Sequence, residues 1–525
     1  MAYFDSLLHL EWLGSVAIIV AGCTARDPLC TDGCAADGSG GSTMPTVTDG
    51  ESGSNPPPST ETSNVDSSGD TNSTETGAPC PCEGDQLCVD DSCVAIENER
   101  CHIVWAPDGI PVQDTTRMGM LLPLSGPLGE VIGERFERAA LLWADDAAES
   151  ETVPPVTWLA CDTEATVEGA TAGAEHLVNA MGAIAVFGPL FEGVQEVGQV
   201  TGAAQALHMR SSFTDAIPGA LVDIWTWSMR HGAFAQAMAV AGRTTLIGPA
   251  GGAPGSTIVF VPAGAFGEQW RSALETGAAP EVPVIVELPD PDTVASEEDL
   301  LAGVGAAVGQ ALEDNQGYAP EVVIVDELWE PVMASYQAAW SEFHSGEPAP
   351  RFIVAGADDR QLFELGSITV PGVPAIALEN LESVAAMAHP DDRTVFELRY
   401  EIHYGEPANG AEQAYDAARA LGLAACITLL GGELTGTELS EALSSLDGAG
   451  TLVDIAALDL ACDGIAIGEP MRLPGPSGEL AWNSSRLRRG DVYGFEFLPG
   501  SGTVAPTRVF TLDAPPAETG TWSDL

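Results

Sequence analysis

The stretch "MGMLLPLSGPLGEVIGERFERAALLWADD", residues 118–146, decides how the chain is read. Met118–Leu124 is a short apolar run, Ser125-Gly126-Pro127 carries turn residues, and Glu134–Ala147 places apolar side chains at helical spacing. The same alternation continues through strands Val156–Cys161, Ile184–Gly188 and His208–Ser212, separated by helices Glu168–Met181 and Gly193–Ala206. A second series has strands Thr257–Pro262, Val284–Leu288, Glu321–Asp326 and Phe352–Ala355 with helices Gly267–Glu275, Glu297–Glu313 and Glu330–Phe343. Parallel strands need helical crossovers of this kind, so the spacing predicts an α/β protein of two doubly wound parallel-sheet lobes. Beyond a strand at Val373–Leu378, helices are predicted over Leu381–Met387, Thr394–His403, Gly410–Leu430 and Thr437–Leu446. A β tail including Val492–Leu498 and Thr507–Leu512 returns to complete a lobe.

Composition narrows the partners. The chain has 525 residues, 45% of them hydrophobic, enough for more than one core. Its 19 Lys and Arg stand against 77 Asp and Glu, a net charge of −58 that repels phosphate backbones and anionic lipids. Nucleic acid is excluded as a partner, and membrane contact is expected through an anchor alone. The acidity is spread along the chain, which fits solubility outside the cytoplasm better than a cation site.

The first 110 residues read as export signal, anchor and stalk. Leu13–Gly22 is an apolar run of signal-peptide length that ends on Cys23. Val20-Ala21-Gly22-Cys23 resembles the lipobox of bacterial lipoproteins, which makes 1–22 the signal peptide and Cys23 the lipidation site. Thr24, where that family places an inner-membrane retention Asp, points to the outer membrane. Residues 23–79 form the anchor and a Gly/Ser/Thr/Pro linker; Asp37–Pro79 lacks aromatic residues and cannot bury enough apolar area to order itself. Such a tether reaches roughly 30 to 40 Å. Residues 80–110 hold Cys80, Cys82, Cys88, Cys93 and Cys101, whose spacing fits a disulfide-stapled segment better than a paired Cys-x-x-Cys zinc site. Cys161 either pairs with Cys101 or stays a buried thiol, and Cys426 is a candidate partner for Cys462.

The ordered series resembles a known family, the type I periplasmic solute-binding proteins of the leucine/isoleucine/valine-binding group, receptors of ABC transporters. The resemblance rests on "LLPLSGPLGEVIGERFERAALLWADD", "VTWLACDTEATVEGATAGAEHLVN", "AIAVFGPLFEGV" and "ELRYEIHYGEPANGAEQAYDAARAL", and covers about residues 114 to 510. It implies lobe 1 from 114–230 and 366–470, lobe 2 from 231–365 and 471–515, crossing segments near 228–232, 360–372 and 465–475, and a ligand in the cleft between the lobes. Hinge closure on that ligand is implied as well.

Transferring the cleft position by position implies a ligand set of Ser125, Glu192, Ser212, Thr214, Phe266, Trp329 and Asp358. Glu192 stands where the family offers a small hydroxyl for the ligand carboxylate, and no aromatic residue occurs near Val131. A mixture of Glu192, Asp358, Phe266 and Trp329 favours a cationic or polar ligand over a branched-chain amino acid. The competing reading makes Glu192 a solvated charge at a helix start and the two aromatics ordinary core.

Catalysis has no footing in the pattern. The 8 His are scattered without a His-Glu-x-x-His pair, no Gly-x-x-x-x-Gly-Lys loop occurs, and the turns carry Gly-Pro in place of a Gly-x-Ser-x-Gly elbow. No enzyme, cofactor or metal is expected. The expectation is a monomeric extracytoplasmic lipoprotein, lipid-anchored in the periplasm or at the cell surface. It captures a small polar molecule, an amino acid, amide or related compound, for an ABC permease. The alternative uses the same fold to bind a protein partner, as a cell-wall synthase activator or a ligand sensor.

Overall fold

The structure is a computed structural model. It describes residues 86–89, 92–190, 193–211, 225–229, 233–246, 257–277, 283–290, 294–315, 319, 321–325, 328–343, 350–356, 362, 380–388, 390–408, 410–431, 434–446, 450–454, 457–482, 486, 488–498, 503–512 and 520–525. The signal peptide, Cys23, the linker, Cys80, Cys82 and the strand expected at Val373–Leu378 lie outside them.

Two sheets carry the fold. The first contains β1 (Cys101–Trp105), β2 (Thr116–Leu122), β3 (Val156–Asp162), β4 (Ala185–Phe187), β5 (Leu207–Arg210) and β6 (Thr226–Ser228), in the spatial order β1-β3-β2-β4-β5-β6. Every neighbour is parallel except β1, which adds antiparallel to β3 with Cys101 opposite Cys161. The crossover helices are α1 (Glu134–Ala148), α2 (Val167–Glu175) and α3 (Val194–Ala203). β2 and β3 are buried on both faces, as a parallel strand covered by helices must be.

The second sheet repeats the design. It contains β7 (Thr257–Val261), β8 (Val284–Glu287), β9 (Glu321–Val325), β10 (Arg351–Ala355) and β11 (Leu381–Ala386), followed by β12 (Val492–Leu498), β13 (Thr503–Leu512) and β14 (Gly520–Asp524). Its order is β8-β7-β9-β10-β11-β12-β13-β14; the first five are parallel and the last three attach antiparallel, so the β tail does complete this lobe. Helices α4 (Ala233–Leu246), α5 (Ala265–Gly277), α6 (Glu297–Asp314) and α7 (Trp329–Phe343) flank it.

One element corrects the sequence reading. Leu381–Met387 was expected as a helix because Leu, Glu and Ala favour one; it forms β11, locked between parallel β10 and antiparallel β12 with Leu381, Val384 and Ala385 in the core. Tertiary pairing overrides the local propensity here.

The remaining helices, α8 (Pro390–Tyr404), α9 (Glu412–Ala424), α10 (Gly436–Leu443) and α11 (Leu458–Ala466), return to the first lobe. α9 is buried on every side but Gln413, and its Gly422 lies against Trp143 of α1, where a Cβ would come within 2.8 Å of the indole Nε1. Met471, Leu473, Leu480 and Trp482 join the same core. The chain therefore passes between the lobes after β6, after β11 and before β12; the last two passages fall at 387–389 and 490–491, later than 360–372 and 465–475.

Among the described residues, two disulfides tie the first lobe. Cys101–Cys161 bonds β1 to β3, and Cys426–Cys462 bonds the helical turn after α9 to α11. Cys93 is also disulfide-bonded, in the hairpin Gln86–Val89/Ser92–Ala95 that precedes β1. Opening Cys426–Cys462, which closes a separation of 36 residues, releases chain entropy in the unfolded state. The double change Cys426→Ala/Cys462→Ala is expected to lower stability by about 2 to 4 kcal/mol in urea unfolding. An unchanged midpoint contradicts that assignment.

Candidate functional site

Numbering each lobe's parallel strands by chain order gives the same arrangement twice, 2-1-3-4-5: β3-β2-β4-β5-β6 in the first and β8-β7-β9-β10-β11 in the second. The order reverses between strands 1 and 3, where the flanking connections leave on opposite faces and open a crevice at the carboxyl ends. The chain leaves both sheets from those ends: β6 and β11 exit there, and β12 enters beside Ala386, its partner Val492 standing at the start of the strand. The two crevices therefore lie at the junction of the lobes.

In the first lobe the crevice is bounded by the turn after β2. Ser125 occupies the N-cap position of the helix that begins at Gly126, is exposed, and makes no side-chain hydrogen bond to the helix backbone. The helix start is pressed beneath the turn. A Cβ on Gly129 would come 2.4 Å from the Leu124 carbonyl oxygen, and one on Gly133 would come 2.1 Å from that of Pro123. The Asp162 carboxylate at the end of β3 accepts from Leu124 N–H at 2.9 Å and Ser125 N–H at 3.3 Å.

On the other side of the crevice stands the Gly188-Pro189 turn after β4. Gly188 has φ +93°, and a Cβ there would meet the Leu121 carbonyl oxygen at 2.4 Å. Its N–H donates to Met209 O at 2.9 Å, and its carbonyl accepts from His208 Nε2 at 2.7 Å. His208 is buried, and burial pushes its pKa down to about 4, with Arg210 adding repulsion against the gain from the Gly188 carbonyl. The ring is therefore neutral near pH 7 and serves the turn as a donor. Arg210 ends β5 and Ser211 follows it, both buried; the Ser211 hydroxyl donates to Gln413 Oε1 at 2.7 Å and ties the wall to α9.

In the second lobe Trp329 opens α7 just beyond β9, half-buried against the core, with its indole N–H buried and without a hydrogen-bond partner. Its Cζ2 lies 3.9 Å from where a Gly356 Cβ would stand at the end of β10. Of the remaining expected ligand residues, Phe266 is the second residue of α5 and only its backbone is described, whereas Glu192, Ser212, Thr214 and Asp358 lie outside the described residues. Ser125 and Trp329 thus stand beside the two crevices. Asp162 and His208, which shape the first, escaped the sequence reading of the ligand set; Asp162 was noted only as the end of a strand.

A buried ionic cluster secures two of the passages between lobes. Arg488 Nη2 donates to Asp416 Oδ2 at 3.1 Å with both side chains fully buried, and its other nitrogens reach Met229 O, Glu479 O and Ser477 Oγ. Ser477 N–H and hydroxyl also donate to Asp416, and Arg419 donates to Pro474 O. Burial raises the Asp416 pKa, while Arg488 and Ser477 pull it back toward the carboxylate. Met229 begins the first passage and Arg488 leads into the third, so one guanidinium anchors both to α9.

Among the described residues no group of three or more His, Cys, Asp or Glu is placed to hold a metal ion, and no helix is long and apolar enough to cross a membrane.

The depressed His208 pKa makes a pH prediction. The unfolded chain binds a proton near 6.5 and the folded ring only near 4, so this contribution favours folding above pH 6.5 and is lost as pH falls to 4. Its full size is about 3 kcal/mol. His208→Gln, which keeps a donor for Gly188, should flatten the loss of stability between pH 6.5 and 4 relative to the wild-type chain in urea titrations. Parallel pH profiles would contradict the assignment.

Comparison with known proteins agrees with the geometry. Residues 115–278 match the family model described as "Periplasmic binding protein". No curated protein sequence matches the chain. Among solved structures it is similar to a branched-chain amino acid ABC transporter periplasmic ligand-binding protein from Burkholderia xenovorans, at 14% identity and TM-score 0.51 over 75% of this chain and 95% of that one. It is also similar to a solute-binding protein of an ABC transporter from Rhodopseudomonas palustris BisB5 in complex with 3,4-dihydroxybenzoic acid, at 13% identity and TM-score 0.51 over 78% and 97%. A further solute-binding protein from R. palustris, in complex with 4-hydroxybenzoate, matches at 15% identity and TM-score 0.51 over 77% and 98%. The architecture is thus the type I periplasmic binding protein fold, with residues 115–278 carrying that family's sequence pattern.

Proposed function

We propose that the chain is an extracytoplasmic solute-binding protein that captures a small polar molecule between its lobes and delivers it to an ABC permease. The observation that carries this reading is the doubled 2-1-3-4-5 order, with an uncommitted Ser125 hydroxyl beside one crevice and the half-buried Trp329 beside the other. A site of that kind offers a hydroxyl and a helix start to a carboxylate or amide, and an aromatic face to the rest of the solute. The solutes named for similar structures, hydroxylated benzoates, join a ring to a carboxylate, which suits Ser125 and Trp329 but is opposed by the charges of Glu192 and Asp358 in the proposed set. Amino acids and their amides remain the first class to test. Glu192, Ser212, Thr214, Phe266 and Asp358 complete the proposed ligand set, with Cys23 as a lipid anchor that holds the binding part away from a membrane.

The test is a thermal-shift screen of the full chain against amino acids, amides, polyamines, hydroxybenzoates and sugars. A solute present at ten times its Kd stabilises the folded state by about 1.4 kcal/mol. Ser125→Ala should weaken a positive solute up to about tenfold, the worth of one hydrogen bond, and Trp329→Ala by a similar or larger factor. No shift with any class overturns solute capture and favours the protein-partner use of the fold.

A further inference from the structure

The segment ahead of the first lobe pairs with the edge of the sheet that carries the first crevice. β1 is an addition to the edge of a sheet whose other strands are parallel, and it runs antiparallel to β3, with the Cys101–Cys161 bond crossing the pair. One residue before that bond, the Arg100 carbonyl accepts the N–H of Asp162 at 2.8 Å. The Arg100 guanidinium lies 3.3 Å from the Glu164 carboxylate. The first contact falls on the last residue of β3 and the second on the connection after it, at the carboxyl end of the sheet, where a solute would sit.

That connection has an unusual backbone. Glu164 and Ala165 both have φ of 51°, the left-handed region that costs a side-chain-bearing residue on the order of 1 to 2 kcal/mol. A conformation of this kind persists only where surrounding contacts impose it. Asp162 supplies them: its Oδ1 accepts the Glu164 N–H at 2.8 Å as well as those of Leu124 and Ser125 at 2.9 and 3.3 Å. One carboxylate oxygen thus joins the connection after β3 to the turn after β2. Thr163 adds a bond from its N–H to Leu122 O at 2.8 Å, and Thr166 caps α2 through Gly169 N–H at 3.0 Å.

We infer that Asp162 is the positioning residue of the Ser125 turn, and that the Arg100–Cys101 end of β1 holds Asp162 in place, so that the stalk's attachment strand sets the shape of the solute site. The consequence for affinity rests on the solute-binding reading; the positioning itself does not. The N-terminal segment is then a part of the receptor's binding wall as well as its tether.

Hydrogen–deuterium exchange on the full chain tests the positioning without any ligand. Asp162→Ala should speed exchange of the Leu124, Ser125 and Glu164 amides at least tenfold, leaving those of β9 and β10 unchanged. Asp162→Asn, which keeps a neutral acceptor oxygen, should fall between that variant and the wild type, because charge-assisted hydrogen bonds are about twice as strong as neutral ones. It also carries the test if the alanine variant does not fold. Cys101→Ser/Cys161→Ser should loosen the same three amides. Wild-type exchange at those amides in all the variants overturns the inference. L-isoleucine and 4-hydroxybenzoate serve as binding probes: a loosened turn with an unchanged Kd removes the consequence for affinity. If neither probe binds the wild-type chain, solute binding loses support and the exchange result alone decides the positioning.

Discussion

All three passages between the lobes meet the sheets at the carboxyl ends of their parallel strands, and the rest of the molecule follows from that constraint. A parallel sheet gathers its loops and helix starts at one end. Tying two such sheets together at that end turns their loops toward a common region and leaves the amino ends outside. The proposed site draws on short turns at that end, held by hydrogen bonds such as those accepted by Asp162.

Stiffness comes from polar groups placed where burial makes them expensive to leave unpaired. Asp416, Arg419 and Arg488 are fully buried on or beside α9, where the apolar surroundings would reject any of them alone. The Arg488–Asp416 bond, with those from Arg488 to Met229 O, from Ser477 to Asp416 and from Arg419 to Pro474 O, offsets part of that cost and ties the passages to α9. His208 works in the same way on a smaller scale, neutral and committed to a single carbonyl. The ionic cluster bonds Met229, beside the first passage, and Arg488, beside the third, to α9.

Much of this was legible in the sequence because alternation of apolar runs with amphipathic stretches reports strand and helix directly. The β2-to-α1 stretch follows from such local patterns, whereas the sequence left the partners of Cys161 and Cys426 open and the structure pairs them with Cys101 and Cys462. What escaped depends on partners far away in the chain. Leu381–Ala386 has a helical composition and becomes a strand through pairing with residues 352–355 and 492–496. Cys101–Trp105 reads as the end of a stapled segment and is the edge strand of a sheet. Asp162 looks like any acid at a strand end until three backbone donors are seen to converge on it. The last two passages were set too early because neither the strand character of β11 nor the packing of 471–482 into the first lobe has a local signature.

A crystal structure of the full chain grown with a solute that shifts its thermal unfolding is the most direct test of the account. The account predicts density for that solute between the carboxyl ends of the two sheets, in contact with the Ser125 hydroxyl on one side and the Trp329 ring on the other. Density at any other surface, or carboxyl ends sealed against each other by their own side chains, would contradict it.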